Sequence, residues 1–167
     1  LPGDILLFYN AIGLSRIITL FTRSPIYHVA LAEAGYEVIE ARPRGVARRD
    51  VSKPPVRLDF IVLPAPEGAG AAALAWAATK IGDGYDKMDI AVIALDRIFK
   101  HFHLNYIVGD RFTCGEFVAT AFEHAGVKLF PDIPAADVEP SDFAGLLPAQ
   151  VRAGFERRTR MKKPPPR

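Results

Sequence analysis

The chain has 167 residues, half of them hydrophobic, so it can build one domain with a sizeable core, and no apolar run reaches the length of a membrane span. Its one cysteine excludes an internal disulfide, and one cysteine with four scattered histidines makes no zinc-binding pattern, so we expect neither a metal nor another cofactor. The net charge of +2 is unevenly distributed: residues 1–151 contain 14 Lys and Arg against 18 Asp and Glu, whereas residues 152–167 contain seven against one. The body of the chain is therefore acidic. Because it also lacks a nucleic-acid-binding motif, we expect no nucleic-acid partner.

The first half of the chain is predicted to be rich in strands. Short apolar or alternating segments bounded by Gly, Pro and Ser are typical of strands, whereas apolar residues at helical spacing precede Ser24-Pro25. The predicted elements, in order, are a strand after the turn at 2–4, a helix at 12–22, a hairpin of strands at 26–33 and 36–41, a basic connection at 41–55 and a strand at 56–63.

The second half is predicted to be mainly helical. The predicted elements are an alanine-rich helix at 71–82, an amphipathic helix at 87–100, a helix that begins at Cys114, and a Pro-rich segment with a turn capped by Ser141. Because strands and helices are mixed without regular alternation, we predict an α+β fold with an antiparallel sheet packed against helices. Residues 1–150 are predicted to form the domain, and residues 151–167 a basic, Pro-rich tail.

The helix that carries the only cysteine has a clear start. Thr113 and Glu116 have the spacing of a capping box, which makes Cys114 the first helical residue, and Gly126 is a natural stop. A thiol at the positive end of a helix is more acidic than a free thiol, and the thiolate is the nucleophile. Gly115 is expected to leave room for a substrate. The alternative is that Cys114 is only a small buried residue, so the functional interpretation requires a base.

His28 is the best candidate for that base. His124 lies ten residues beyond Cys114 on the same helix, about 15 Å away along its axis, so it is too distant. If residues 33–35 form a three-residue hairpin loop, His28 pairs directly with Glu40, whose carboxylate can orient the imidazole. A two-residue loop would instead move Glu40 to the other face of the sheet.

The order of these segments resembles the permuted branch of the NlpC/P60 papain-like superfamily. The landmarks are GDILLF at 3–8, YHVALAE at 27–33, VIEARPRGV at 38–46, IGDGYD at 81–86, FTCGEFVATAFEHAG at 112–126 and VEPSDF at 138–143. A histidine strand comes first, an acidic residue follows on the next strand, and the cysteine helix comes last. The resemblance implies a circularly permuted papain-like fold for residues 1–150.

The resemblance also implies an active site. Cys114 matches the nucleophile, His28 the general base, Glu40 the orienting residue, and Tyr85 a tyrosine near the site. Arg42 begins a run of arginines that can receive a carboxylate or phosphate of the substrate, or that serves only solubility. The resemblance further implies a cysteine peptidase or amidase, hydrolysing peptides of the bacterial cell wall.

Two other interpretations stay open at this point. Permuted relatives include acyltransferases and hydrolases that act on lipids, and a domain of this fold can also be a non-catalytic module of a larger assembly. The chain begins at Leu1 rather than Met, which leaves room for a signal peptide or an upstream domain. We therefore expect a peptide or acyl substrate, and an extracytoplasmic or phage-associated location.

Overall fold

The computed structural model describes residues 1–9, 24–42, 45–53, 59–82 and 112–153, and all structural statements below concern these residues. They form an α+β fold, in which a five-stranded antiparallel sheet packs against helices that include the cysteine-bearing one. The general fold class is therefore confirmed. The helices predicted at 12–22 and 87–100 lie outside the described residues.

The elements follow one another as strands first and helices second. The strands are β1 (Ile5–Tyr9), β2 (His28–Ala32), β3 (Glu37–Arg42), β4 (Gly45–Asp50) and β5 (Asp59–Leu63). The helices are α1 (Gly70–Thr79) and α2 (Cys114–His124), followed by short 3₁₀ helices at Ala135–Asp137 and Asp142–Leu146. Residues 149–153 are also helical, so the part of the predicted tail that is described continues a helix. Across the described ranges, no helix is both long enough and apolar enough to cross a bilayer.

The strand order in the sheet is β4-β3-β2-β1-β5. The β2–β3 hairpin differs from its predicted register by two residues, because Leu31 pairs with Ile39. Continued along the strands, this register places Ala30 rather than His28 opposite Glu40. A shift of two residues preserves the side-chain alternation, so His28 and Glu40 still share a face.

The turn explains the shift. The Glu33 N–H donates to the Glu37 carbonyl at 2.8 Å, so the hairpin loop consists of residues 34–36 rather than 33–35. Gly35 has a φ of 64°, a left-handed conformation that glycine adopts without strain. The length of the loop was predicted correctly, but its position along the chain was wrong by one residue, which changes the pairing by two.

Strand β4 corrects the prediction of a basic connection at 41–55. Arg42 pairs with Gly45, and the pairing continues to Glu37 with Asp50. As an edge strand, β4 is rich in charged side chains, which hide the usual apolar signature of a strand. Ser141 does not act as a side-chain cap either; the Asp142 carboxylate instead accepts a hydrogen bond from the Glu139 N–H at 2.8 Å.

The two faces of the sheet carry separate apolar clusters. Val29, Leu31 and Ile39 pack with Phe117 and Phe122 of α2 in the larger cluster. The second cluster, on the other face, is formed by Leu6, Phe8, Ala30, Val38 and Val51. Helix α2 therefore packs against the branched residues of β2 rather than against its alanine side, and the branched residues bury more apolar area.

The start of β1 crosses the start of α1 at very short range. Gly3 has a φ of 89°, and a methyl group there would lie 2.3 Å from the backbone of Gly70. Asp4, next to it, is buried and accepts a hydrogen bond from the Ala65 N–H at 3.0 Å. These contacts fix the position of the loop that leads into α1.

We expect Gly3→Ala to destabilise the protein by about 1–3 kcal/mol more than Gly82→Ala. Both glycines have a φ of 89°, so alanine strains both backbones equally, but no heavy atom of the described residues lies within 4 Å of the methyl position at Gly82. Denaturant unfolding of the two variants measures the difference. Equal losses would show that the Gly3–Gly70 crossing does not constrain the fold.

Candidate functional site

The start of α2 is built as the sequence predicts. The Thr113 hydroxyl accepts a hydrogen bond from the Glu116 N–H at 3.1 Å, and the Glu116 carboxylate accepts one from the Thr113 N–H at 3.1 Å. Cys114 is the first helical residue, and Gly126 follows the helix with a φ of 81°. The capping box therefore fixes the helix end that carries the thiol, and the Cys114 N–H has no acceptor within the helix.

Gly115 does not leave open space for a substrate, so this expectation is wrong. A methyl group on Gly115 would lie 2.2 Å from the carbonyl oxygen of Val138 and 3.1 Å from the carbonyl carbon of Glu139. The missing side chain instead allows the backbone at 138–139 to pack directly against the helix start. Gly115 thus helps to position Cys114, whose side chain is buried.

His28 is the first residue of β2 and lies directly across from Phe8 on β1. The centres of their rings are 5.5 Å apart, and the planes are inclined by 35°. Phe8 is fully buried, so it supplies a fixed apolar surface against which the imidazole rests. The position of His28 at the end of its strand brings the ring to the start of α2, although the rest of this side of β2 faces away from the helix.

The structure brings His28 and Glu40 together. Nε2 of His28 lies 2.7 Å from Oε2 of Glu40, within hydrogen-bonding distance. Because Glu40 occupies Nε2, the other ring nitrogen is left for the thiol of Cys114, with which His28 also forms a hydrogen bond. The imidazole therefore lies between a sulfur and a carboxylate.

This environment favours the protonated form of His28. Burial alone would lower its pKa, but the thiolate charge of Cys114, the hydrogen bond to Cys114 and the carboxylate of Glu40 outweigh burial and raise the pKa to about 9. The same attraction favours the thiolate form of Cys114. The arrangement is that of a thiolate–imidazolium pair, which is the reactive form of a cysteine nucleophile.

Glu40 is completely buried, which is exceptional for a carboxylate and requires compensating partners. Nη2 of Arg49 donates a hydrogen bond to Oε2 at 2.8 Å, and Nε of Arg49 lies 2.6 Å from Oε1 as an ion-pair contact. Burial alone would raise the pKa of Glu40, but the hydrogen bond and charge of His28 and those of Arg49 hold it below its ordinary value. The carboxylate is therefore ionised.

Arg49 is the site residue that the sequence analysis missed as a partner of Glu40. It was counted only within a basic connection, whereas it lies on β4, paired with Val38 of β3. Glu40 itself lies across from Ala47, so Arg49 is its diagonal neighbour on the same face. Recognition that Arg42 pairs with Gly45 would have given this register from the sequence alone.

Arg42 and Tyr85 are the two remaining residues that were predicted to lie at the site. Arg42 lies at the end of β3 with its side chain more than half exposed, and its Nε is 3.6 Å from Oε1 of Glu40. The structure therefore places Arg42 beside the buried carboxylate and at the surface, and its role toward a substrate stays a prediction. Tyr85 lies outside the described residues.

Taken together, the site can carry out nucleophilic chemistry with proton transfer. Cys114 supplies the sulfur, His28 can move a proton, and Glu40 fixes the ring through its Nε2. Among the residues that the structure describes, no group of three or more His, Cys, Asp and Glu has the arrangement of a metal site.

Comparison of the chain with protein-family models and with curated proteins finds no match. The interpretation of the site therefore rests on its geometry, and the family resemblance of the sequence stays a prediction.

We expect Cys114→Ala and Cys114→Ser each to lower the pKa of His28 from about 9 by at least about one unit, because both remove the thiolate charge. The serine variant retains a group that can form a hydrogen bond, so the difference between the variants isolates that bond. The ring protons of His28, assigned with a His28→Gln variant, can be titrated by NMR. A pKa that stays near 9 in both variants would show that Cys114 does not control His28.

We expect Gly115→Ala to destabilise the fold by about 1–3 kcal/mol, because the methyl group has to displace backbone rather than a flexible side chain. Gly145→Ala is the matched control, since, in the part of the chain that the structure describes, no heavy atom lies within 4 Å of its methyl position. Thermal unfolding compares the two. A Gly115→Ala variant as stable as the control would mean that open space does exist beside Cys114.

Proposed function

We propose that this chain is a cysteine hydrolase that forms an acyl-enzyme at Cys114. One observation carries the proposal: His28 is hydrogen-bonded to Cys114 and lies 2.7 Å from the wholly buried carboxylate of Glu40. A cysteine that served only packing would need no histidine partner, and a histidine that served only packing would need no buried carboxylate.

The proposed reaction uses Cys114 as the nucleophile and His28 first as an acid and then as a base. The Cys114 thiolate attacks a carbonyl carbon, and the new oxyanion faces the N–H groups at the start of α2, where the Cys114 N–H has no helical acceptor. The tetrahedral intermediate then expels the leaving group, which takes its proton from His28. Water, deprotonated by His28, attacks the thioester, and the second tetrahedral intermediate releases the acid and leaves the Cys114 thiolate beside the His28 imidazolium.

The capped helix and the strand histidine supply the geometry that this reaction needs. The capping box holds the helix end, and the backbone at 138–139 packs against Gly115 behind the nucleophile. Phe8 and Glu40 together restrain the position of the imidazole. Catalytic groups held by rigid elements lose less entropy when they reach the reactive arrangement.

We further propose that the protein belongs to the permuted NlpC/P60 type and cleaves amide bonds in cell-wall peptides. Support comes from the order of the site residues along the chain: His28 on β2, Glu40 on β3 and Cys114 on the later helix. Arg42, exposed beside the site, suits the carboxylates that such peptides carry.

The test is to incubate the protein with soluble peptidoglycan fragments and, separately, with phospholipid vesicles, and to identify the products by mass spectrometry. We expect cleaved peptides, and we expect Cys114→Ala to reduce turnover by at least about a thousandfold while the circular dichroism spectrum is unchanged. The loss follows because no other thiol is present in the chain.

Each other outcome has a defined meaning. Fatty-acid release without peptide cleavage would replace the peptide substrate by a lipid one but keep the mechanism. Undiminished turnover in Cys114→Ala would refute the mechanism. No turnover on either substrate, with slow alkylation of Cys114 at neutral pH, would leave a non-catalytic module.

A further inference from the structure

We infer that Arg49 is a positioning residue of this site, which keeps the buried carboxylate of Glu40 ionised and directed at His28. The inference rests on the proposed function for its catalytic consequence, but the ionisation of the site can be measured without a substrate. Arg49 touches neither the sulfur nor the reacting carbonyl in this scheme; it acts through Glu40.

The first argument is the contact geometry. Arg49 approaches Glu40 through two nitrogens, with Nη2 at 2.8 Å from Oε2 and Nε at 2.6 Å from Oε1. The Nη2 contact is a hydrogen bond, whereas the Nε–Oε1 approach is an ion-pair contact, in which neither atom has a hydrogen-bond partner among the described residues. The guanidinium therefore restrains the carboxylate through one hydrogen bond and through its charge. Oε2, the oxygen that Nη2 binds, is also the oxygen that lies 2.7 Å from His28.

The second argument is the need for charge compensation. Glu40 has no exposed surface, and a buried carboxylate without a cation takes up a proton. His28 alone cannot guarantee the compensation, because its own charge depends on Cys114 and on pH. Arg49 is always charged, so it keeps Glu40 ionised whatever the state of the imidazole.

The third argument is that Arg49 itself is held in place. Its guanidinium carbon lies 5.6 Å from the centre of the Phe8 ring, which is the ring that also supports His28. Only about a quarter of its side chain is exposed, at 27%. By contrast, Arg48 on the same strand, which pairs with Glu33 at the surface, has 51% of its side chain exposed.

The groups that can influence this ionisation come from every element around Glu40. They are His28 of β2, Arg42 of β3, Arg49 of β4, the phenol of Tyr27, and Cys114 of α2 acting through His28. Within the described residues, Arg49 makes the shortest cationic contact with Glu40, at 2.6 Å, against 2.7 Å for His28. Arg42 is farther, at 3.6 Å, and more exposed.

The test uses the pH dependence of Cys114 alkylation by iodoacetamide, which labels one site because the chain has one cysteine. The rate follows the thiolate, which the imidazolium stabilises, and the carboxylate in turn stabilises the imidazolium. In Arg49→Met, Glu40 loses its constant cation, its pKa rises, and in neutral form it no longer supports His28. We expect the acid limb of the profile to move to higher pH by about one unit, which is about tenfold slower alkylation below the limb.

Three variants separate positioning from a merely structural role. Arg48→Met is the matched control, because Arg48 pairs with Glu33 at the surface, and its profile should equal that of the wild type. Arg49→Lys retains the charge but loses the guanidinium, so its limb should move less than that of Arg49→Met. Glu40→Gln should move the limb at least as far as Arg49→Met.

The deciding comparison is the double variant Glu40→Gln/Arg49→Met, which removes a complete ion pair and therefore leaves no isolated buried charge. If Arg49 acts through Glu40, the double variant has the same acid limb as Glu40→Gln alone. A folded Arg49→Met with the wild-type limb, or a further shift of the double variant beyond Glu40→Gln, overturns the inference. If Arg49→Met does not fold, the double variant decides. Absence of turnover on every substrate would refute the proposed function and leave this profile unaffected.

Discussion

The wholly buried charge of Glu40 is the constraint around which the site is organised. A carboxylate with no access to water is tolerated only with cations in direct contact, and here they come from both neighbouring strands, His28 on β2 and Arg49 on β4. Ala47, directly across from Glu40, has a side chain too small to compete for that space. Because β3 lies between β4 and β2, Glu40 contacts a cation on each neighbouring strand. A change in strand pairing would therefore leave the buried carboxylate without one of its cations.

The nucleophile is positioned by a different set of contacts. Its helix is fixed by a capping box, by the backbone at 138–139 that packs on Gly115, and by the aromatic residues that bury α2 against the sheet. The thiol and the imidazole thus belong to separate layers of the fold. The contact between the two groups at the end of β2 depends on how the layers pack. A substitution in the core between the layers would therefore change the distance between the thiol and the imidazole.

Local signals in the sequence predicted local features well. The capped start of α2, its glycine stop and the strands around His28 and Glu40 follow from residues close together in the chain. His28 and Glu40 share a face as predicted, although the predicted register was wrong by two residues, because side chains along a strand alternate with a period of two. What failed depends on distant neighbours: β4 is an edge strand with a charged sequence, and the space at Gly115 is filled by backbone more than twenty residues later in the chain.

The alternation of charges also bears on the chemistry. In the proposed site, the Cys114 thiolate, the His28 imidazolium, the Glu40 carboxylate and the Arg49 guanidinium follow one another with opposite signs. Arg42 adds a more exposed positive charge beside Glu40. The thiolate charge is the largest of the influences that raise the pKa of His28. In the proposed reaction, formation of the carbon–sulfur bond moves that charge from the sulfur to the oxyanion, so the pKa of His28 falls before the imidazolium has to protonate the leaving group. A histidine that would be a weak acid in the resting site thereby becomes a stronger one when the proton is needed, while Arg49 continues to compensate Glu40.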